Sequence, residues 1–113
     1  MLETTIDAEP GDDAVAFSLR VENRGDDDVA LSFSDSQRVR ISVFSAENDA
    51  AEPIWRSDEG QMFAQMLGSE PVPAGESVEF REEWVEPAPG TYRAVGDVVC
   101  RERELQDETT FSV

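Results

Sequence analysis

Residues 14–22 set Val15, Phe17, Leu19 and Val21 in strict alternation with Ala16, Ser18, Arg20 and Glu22. A period of two belongs to a strand with one buried face, because a helix would scatter those four large side chains around its circumference. The same period recurs in Leu2, Thr4 and Ile6, in Val29, Leu31 and Phe33, in Val39, Ile41 and Val43, and in Thr109, Phe111 and Val113. Residues 76–85 repeat it with Val78, Phe80 and Trp84. Glu82 falls on that apolar face, which calls for a β-bulge or a place at the sandwich edge. Residues 91–100 are apolar enough for a central strand.

Turn-forming residues separate these runs. Residues 8–13 form a turn, and residues 23–28 a hairpin loop with Gly25 free to take positive φ. Residues 47–52 read as an acidic loop, and 101–108 as a loop or one helical turn. About eight short, evenly spaced strands predict an all-β fold, an immunoglobulin-like antiparallel β-sandwich, with a small barrel as the alternative. At 113 residues the chain is expected to form a single domain over 1–113.

One stretch breaks the period. After Ile54-Trp55-Arg56, the residues Met62, Phe63, Met66 and Leu67 fall at i, i+1, i+4 and i+5, the spacing of one helical face. Ser57 or Asp58 can cap the first turn and Gly68 can end it, so a short helix is expected near residues 58–67. Pro71, Pro73 and Gly75 then predict an irregular segment over 69–75.

Charge narrows the functional classes. The chain carries 26 acidic and nine basic residues, a net −17, and every basic residue is arginine. Six Phe, two Trp and the alternating runs separate it from disordered acidic segments. The reading is a folded, halophilic protein of archaeal type, whose self-repulsion is screened where the Debye length falls to about 3 Å, near molar salt. Such a charge repels phosphate backbones, so no nucleic-acid partner is expected. No apolar run reaches membrane-spanning length and Met1-Leu2-Glu3-Thr4 does not open a signal peptide, so no membrane partner and a cytoplasmic location are expected. The lone cysteine, Cys100, suits a reducing compartment and a strand position.

Histidine and lysine are absent, which excludes imidazole-based triads, Schiff-base chemistry and histidine zinc sites. Glu82 and Glu83 adjoin Trp84, but strand geometry sends them to opposite faces, which a carboxylate hydrolase pair does not tolerate. Asp12-Asp13 and Asp26-Asp27-Asp28 lack the ligand spacing of a calcium loop. The expectation is a non-enzyme without cofactor or metal, a monomer that binds another protein.

Several pieces then fit one family. Val21-Glu22-Asn23, Val29-x-Leu31-x-Phe33 and Ser36-Gln37 are followed by Ile54-Trp55-Arg56-Ser57 and by Gly60-x-Met62-Phe63-x-Gln65. Pro73-Ala74-Gly75-Glu76, Glu83-Trp84 and Pro89-Gly90-Thr91-Tyr92 complete the order. The chain resembles the intracellular proteinase inhibitor family of BsuPI type, although Val39-Arg40-Ile41 stands where that family tends to carry an aromatic-Asp-Phe run. The resemblance implies an immunoglobulin-like sandwich that inhibits an intracellular subtilisin-like serine protease.

Contact with the protease would come from the 57–75 connection, through Met66, Leu67, Glu70, Pro71, Val72, Pro73 and Ala74, with Glu70, Val72 and Ala74 exposed. Within it, Met62, Phe63, Met66 and Leu67 either anchor a partner or plug the end of the sandwich above Trp55 and Trp84. The alternative function is an immunoglobulin-like interaction module that inhibits nothing.

The charge reading has a direct test. Thermal melts followed by circular dichroism are expected to shift strongly upward from dilute buffer to molar KCl; equal stability in both removes it.

Overall fold

The computed structural model describes residues 1–46 and 52–113, so most of the acidic loop expected at 47–52 lies outside the described residues. Among the described residues nine strands form: β1 (Leu2–Pro10), β2 (Ala14–Asn23), β3 (Val29–Phe33), β4 (Val39–Ser45), β5 (Trp55–Arg56), β6 (Gly68–Val72), β7 (Ser77–Val85), β8 (Thr91–Val98) and β9 (Leu105–Ser112). All pair antiparallel, in sheets ordered β1-β2-β7 and β5-β4-β8-β9 and a β3-β6 ribbon. The result is the expected all-β, sandwich-like arrangement.

The alternating faces meet in one core. Phe17, Leu19 and Val21 of β2 pack with Ile41 and Val43 of β4, Ala94 of β8 and Phe111 of β9, and the ribbon adds Leu31, Phe33 and Val72. Gly96 of β8 lets the layers approach. A Cβ there would stand 2.9 Å from Leu19 Cδ1 and 3.0 Å from Ile6 Cδ1, so a methyl side chain would have to displace both core side chains. Aromatic rings fill one side of the core. Trp55 stacks on Phe17 at 5.9 Å and on Trp84 at 5.8 Å, and Trp84 meets Tyr92 edge-on at 5.1 Å. The Tyr92 hydroxyl donates to the Ala88 carbonyl at 2.6 Å, as the tyrosine corner of immunoglobulin-like folds does.

Four local expectations are corrected. First, no helix occupies residues 58–67: 57–60 form a turn and 61–67 run without regular structure. Gly60 takes φ 74°, outside helical space, and the backbone at Ala64 bonds sideways to Ser36 instead of along a helix. Second, 69–75 is not wholly irregular, because residues 68–72 form β6 opposite β3, with Pro71 facing Ala30. A two-stranded ribbon consists of edges, where a proline without an N–H can sit.

Third, residues 23–28 make no hairpin, since β2 pairs with β1 and β7 while β3 pairs with β6. They carry the chain between sheets, held by Asn23. Its fully buried side chain donates to Asp27 O at 2.8 Å and Val72 O at 2.9 Å, and accepts from Gly25 N at 2.9 Å. Its backbone bonds Glu76 O and Gly75 N. Fourth, residues 105–108 belong to β9 rather than to a loop or helical turn, so the closing strand expected from Thr109 onward begins at Leu105. Glu82 needs no bulge: it faces Phe17 in regular register on the edge strand β7.

Asn23→Ala is expected to cost about 3 kcal/mol, because the buried Val72 carbonyl loses its partner and the part-buried bonds to Asp27 O and Gly25 N go with it. Urea unfolding in molar KCl measures it, and a loss under about 1 kcal/mol would contradict the role given to this amide.

Candidate functional site

The connection from β5 to β6 leaves the sandwich and returns to it, and three clamps define its path. The first follows β5 directly. Ser57 N donates to Ile41 O and Ile41 N donates to Ser57 Oγ, both at 2.9 Å, extending the pairing past the strand. The chain then turns, with Gln61 N reaching Asp58 O at 3.2 Å. The Asp58 carboxylate points inward. It accepts from Arg40 Nε at 2.8 Å, Gln37 Nε2 at 3.2 Å, and Arg56 Nε and Nη2 at 2.9 and 3.1 Å. Burial pushes its pKa up, but the hydrogen bonds from Arg40, Arg56 and Gln37 outweigh burial and hold it below the ordinary 3.8.

The second clamp holds the middle. Ser36 N donates to Ala64 O at 2.9 Å and Ser36 Oγ accepts from Ala64 N at 2.8 Å, while Met66 N turns back to Ala64 O at 2.9 Å. The third holds the exit. Arg38 Nε lies 3.6 Å from Glu70 Oε1, its guanidinium sits 4.4 Å above the Phe33 ring, and Nη1 donates to Asp35 O at 2.9 Å.

Between the clamps the apolar side chains face water. Met62 is 97% exposed, Leu67 77% and Met66 68%. They do not plug the sandwich, because Trp55, Trp84 and Phe17 already fill the place that a plug would occupy. Only Phe63 turns partly inward, into a shallow groove with Val39, Phe80 and Glu82. Burial there pushes the Glu82 carboxyl upward.

The residues expected to touch a partner therefore divide. Met66, Leu67 and Pro71 are exposed, and Glu70, Pro73 and Ala74 are half-buried. Val72, expected to be exposed, has no accessible surface at all: it faces Val29 in the ribbon and belongs to the core. Ser36 and Arg38 escaped the reading of the 57–75 connection, since both lie on another loop. The only sequence signal was Ser36-Gln37 among the matching pieces.

The model of the family described as BsuPI, intracellular proteinase inhibitor, matches residues 2–103. No curated protein matches the chain. Among solved structures, a β-glucosidase from Kluyveromyces marxianus in complex with glucose aligns with all of this chain and 14% of its own, at 15% identity and a TM-score of 0.55. β-Glucosidase 3B from Thermotoga neapolitana aligns with 100% of this chain and 16% of its own, at 13% identity and 0.55. The β-glucosidase EmGH1 from Erythrobacter marinus gives 97%, 15%, 14% and 0.52 in the same order. The chain thus spans a small fraction of these enzymes, and the likeness is one of fold.

Asp58 makes stability depend on pH in one direction. An unfolded aspartate titrates near 3.9, and the folded carboxyl titrates lower, so the unfolded chain binds more protons between the two values. The contribution is therefore complete above about pH 4 and disappears as pH falls through the folded value. Asp58→Asn is expected to lower stability at pH 7 by about 2 kcal/mol, with the gap closing below about pH 4. Parallel melts of the two proteins across pH 3–7 check it, and a gap independent of pH would assign the loss to something other than charge.

Proposed function

The chain belongs to the BsuPI family of intracellular proteinase inhibitors, and on that premise we propose that it inhibits a subtilisin-like serine protease through residues 61–67. An inhibitor of this family acts by binding rather than by turnover. The observation that carries the reading is the exposure of Met62, Met66 and Leu67 on a non-helical segment clamped at both ends and pinned at Ala64. Large apolar side chains left in water within six residues of one another mark a surface awaiting a partner. Here they stand in a chain where carboxylates outnumber cations by 26 to nine.

The chemistry of a protease cleft suits such a segment. The enzyme takes an unfolded stretch of main chain and fills a pocket with one side chain, and methionine, leucine or phenylalanine fits an apolar pocket. Because the clamps order the segment before binding, little conformational entropy is lost on docking. A complex of ordinary size covers about 1,600 Å² in total, more than three side chains supply. Pro71, with the exposed rims of Glu70 and Ala74, forms the shoulder that completes the contact. If both partners are acidic and bathed in concentrated salt, steering by charge is weak and affinity rests on these apolar anchors. The chain acts in this reading as one domain and a monomer, in a one-to-one complex within the cytoplasm.

Titration of an intracellular subtilase with the chain in molar KCl is expected to abolish activity at one equivalent. No effect, or steady digestion of the chain as an ordinary substrate, would leave an interaction module that inhibits nothing. Met66→Asp and Met62→Asp are each expected to weaken inhibition by about thirtyfold, near 2 kcal/mol. Both side chains are exposed, so Tm should stay where it is. Variants that inhibit as well as the parent would move the contact elsewhere.

A further inference from the structure

The loop before β4 holds the exposed segment at more than one point, and Arg38 joins those points. Its Nη1 donates to Asp35 O at 2.9 Å and to Gln37 O at 3.4 Å, which fixes the turn carrying Ser36. Ser36 in turn makes both hydrogen bonds to Ala64, in the middle of the segment. The far side of the same guanidinium reaches the segment's exit. A Cβ on Gly68 would stand 2.5 Å from Nη2, and Nε faces Glu70 at 3.6 Å. The Phe33 ring, itself buried in the core, backs the guanidinium plane at 4.4 Å. One planar fork thus ties the core, the Ser36 turn and the segment's exit together, a task that the point charge of a lysine cannot perform.

We propose that Arg38 is a positioning residue that keeps residues 61–67 in a form a protease binds but does not productively cleave. The role in inhibition rests on the protease reading above; the role in ordering the segment does not. In a serine protease the serine oxygen adds to a carbonyl of the bound segment, the peptide C–N bond breaks, and the amine leaves with the proton carried by the base. Hydrolysis is finished only when water attacks the acyl carbon and the serine oxygen departs with a proton. A held segment keeps the new amine beside the acyl carbon, where its high effective concentration lets it re-form the peptide bond before water arrives. A released segment lets the amine drift away, and the inhibitor becomes a substrate.

Arg38→Ala and Gly68→Ala test this by different routes. The second leaves the arginine in place and displaces only the tip of its flexible side chain, so it keeps the question open should Arg38→Ala fail to fold. In the free chain, amide exchange at Ala64, relative to amides in β2, is expected to rise about tenfold in both variants, the loss of ordering at one clamp. In the presence of an intracellular subtilase in molar KCl, cleavage between residues 61 and 68, read by mass spectrometry, is expected to rise by about the same factor. Arg38→Lys should restore part of both, through Glu70. A merely structural role would lower Tm while leaving the ratio of Ala64 to β2 exchange unchanged, and that result overturns the proposal. Faster exchange with unchanged cleavage overturns its inhibitory part. If the parent chain does not bind the protease at all, the functional reading falls, while Ala64 exchange still decides the ordering role of Arg38.

Discussion

Trp55 decides what the neighbouring chain can do. Its ring lies between Phe17 and Trp84, stacked on both, and the chain of aromatic contacts continues from Trp84 through Tyr92 to Phe111. That side of the core is closed before the chain reaches Met62. A helix over 58–67 would have needed a hydrophobic surface to receive its four apolar side chains, because a ten-residue helix does not persist in water on propensity alone. What remains beside it is a shallow groove that takes Phe63 alone of the four. The segment instead satisfies its backbone against Ser36 and leaves Met62, Met66 and Leu67 outside. The full core and the sticky segment are therefore two results of the same packing.

The strands were legible because each carries its own signal. Val15, Phe17, Leu19 and Val21 declare a buried face without reference to any other part of the chain, and all four are buried. What could not be read locally depended on a partner distant in sequence. The spacing of Met62, Phe63, Met66 and Leu67 is helical only if something covers that face. Pro71 argues against a strand inside a sheet, yet β6 needs bonds only to β3. The turn-rich stretch after Asn23 has hairpin composition, but composition does not say which strand comes next to β2. In the structure β7 lies there, drawn from more than fifty residues further along.

The pieces that carried the family resemblance turn out to serve the architecture. Asn23 exchanges backbone bonds with Gly75 and Glu76, so two separated motifs are one junction. Gln37 uses its side chain to reach Asp58, the residue after the Ile54–Ser57 piece, and Tyr92 uses its hydroxyl to close the turn before it at Ala88. Residues of this kind identify the scaffold and leave the partner unspecified. The expected contact set illustrates the difference: Val72 proved to be core, whereas Met66 and Leu67 are free to touch another molecule. A sequence of alternating strands encodes which face is inward, but a loop's exposure is set by how its ends are tied.

Arginine placement bears on that tying. With nine cations among 26 acids, ion pairs are easy to form anywhere, and Arg20, Arg24, Arg81 and Arg93 all pair with glutamates on exposed sheet faces. Pairs of that kind contribute little, and less still at high ionic strength. Arg38, Arg40 and Arg56 differ because they stand at the two ends of the 61–67 segment, where Arg40 and Arg56 bond the largely buried Asp58 carboxylate and Arg38 lies between Glu70 and the Phe33 ring. There the guanidinium acts through directed hydrogen bonds, which salt screens far less than long-range attraction. In concentrated salt, diffuse charge holds a loop poorly. At its entry the segment is held by the short, multidentate contacts of Arg40 and Arg56 to Asp58, and at its exit by Arg38, which packs on Phe33 and bonds Asp35 O.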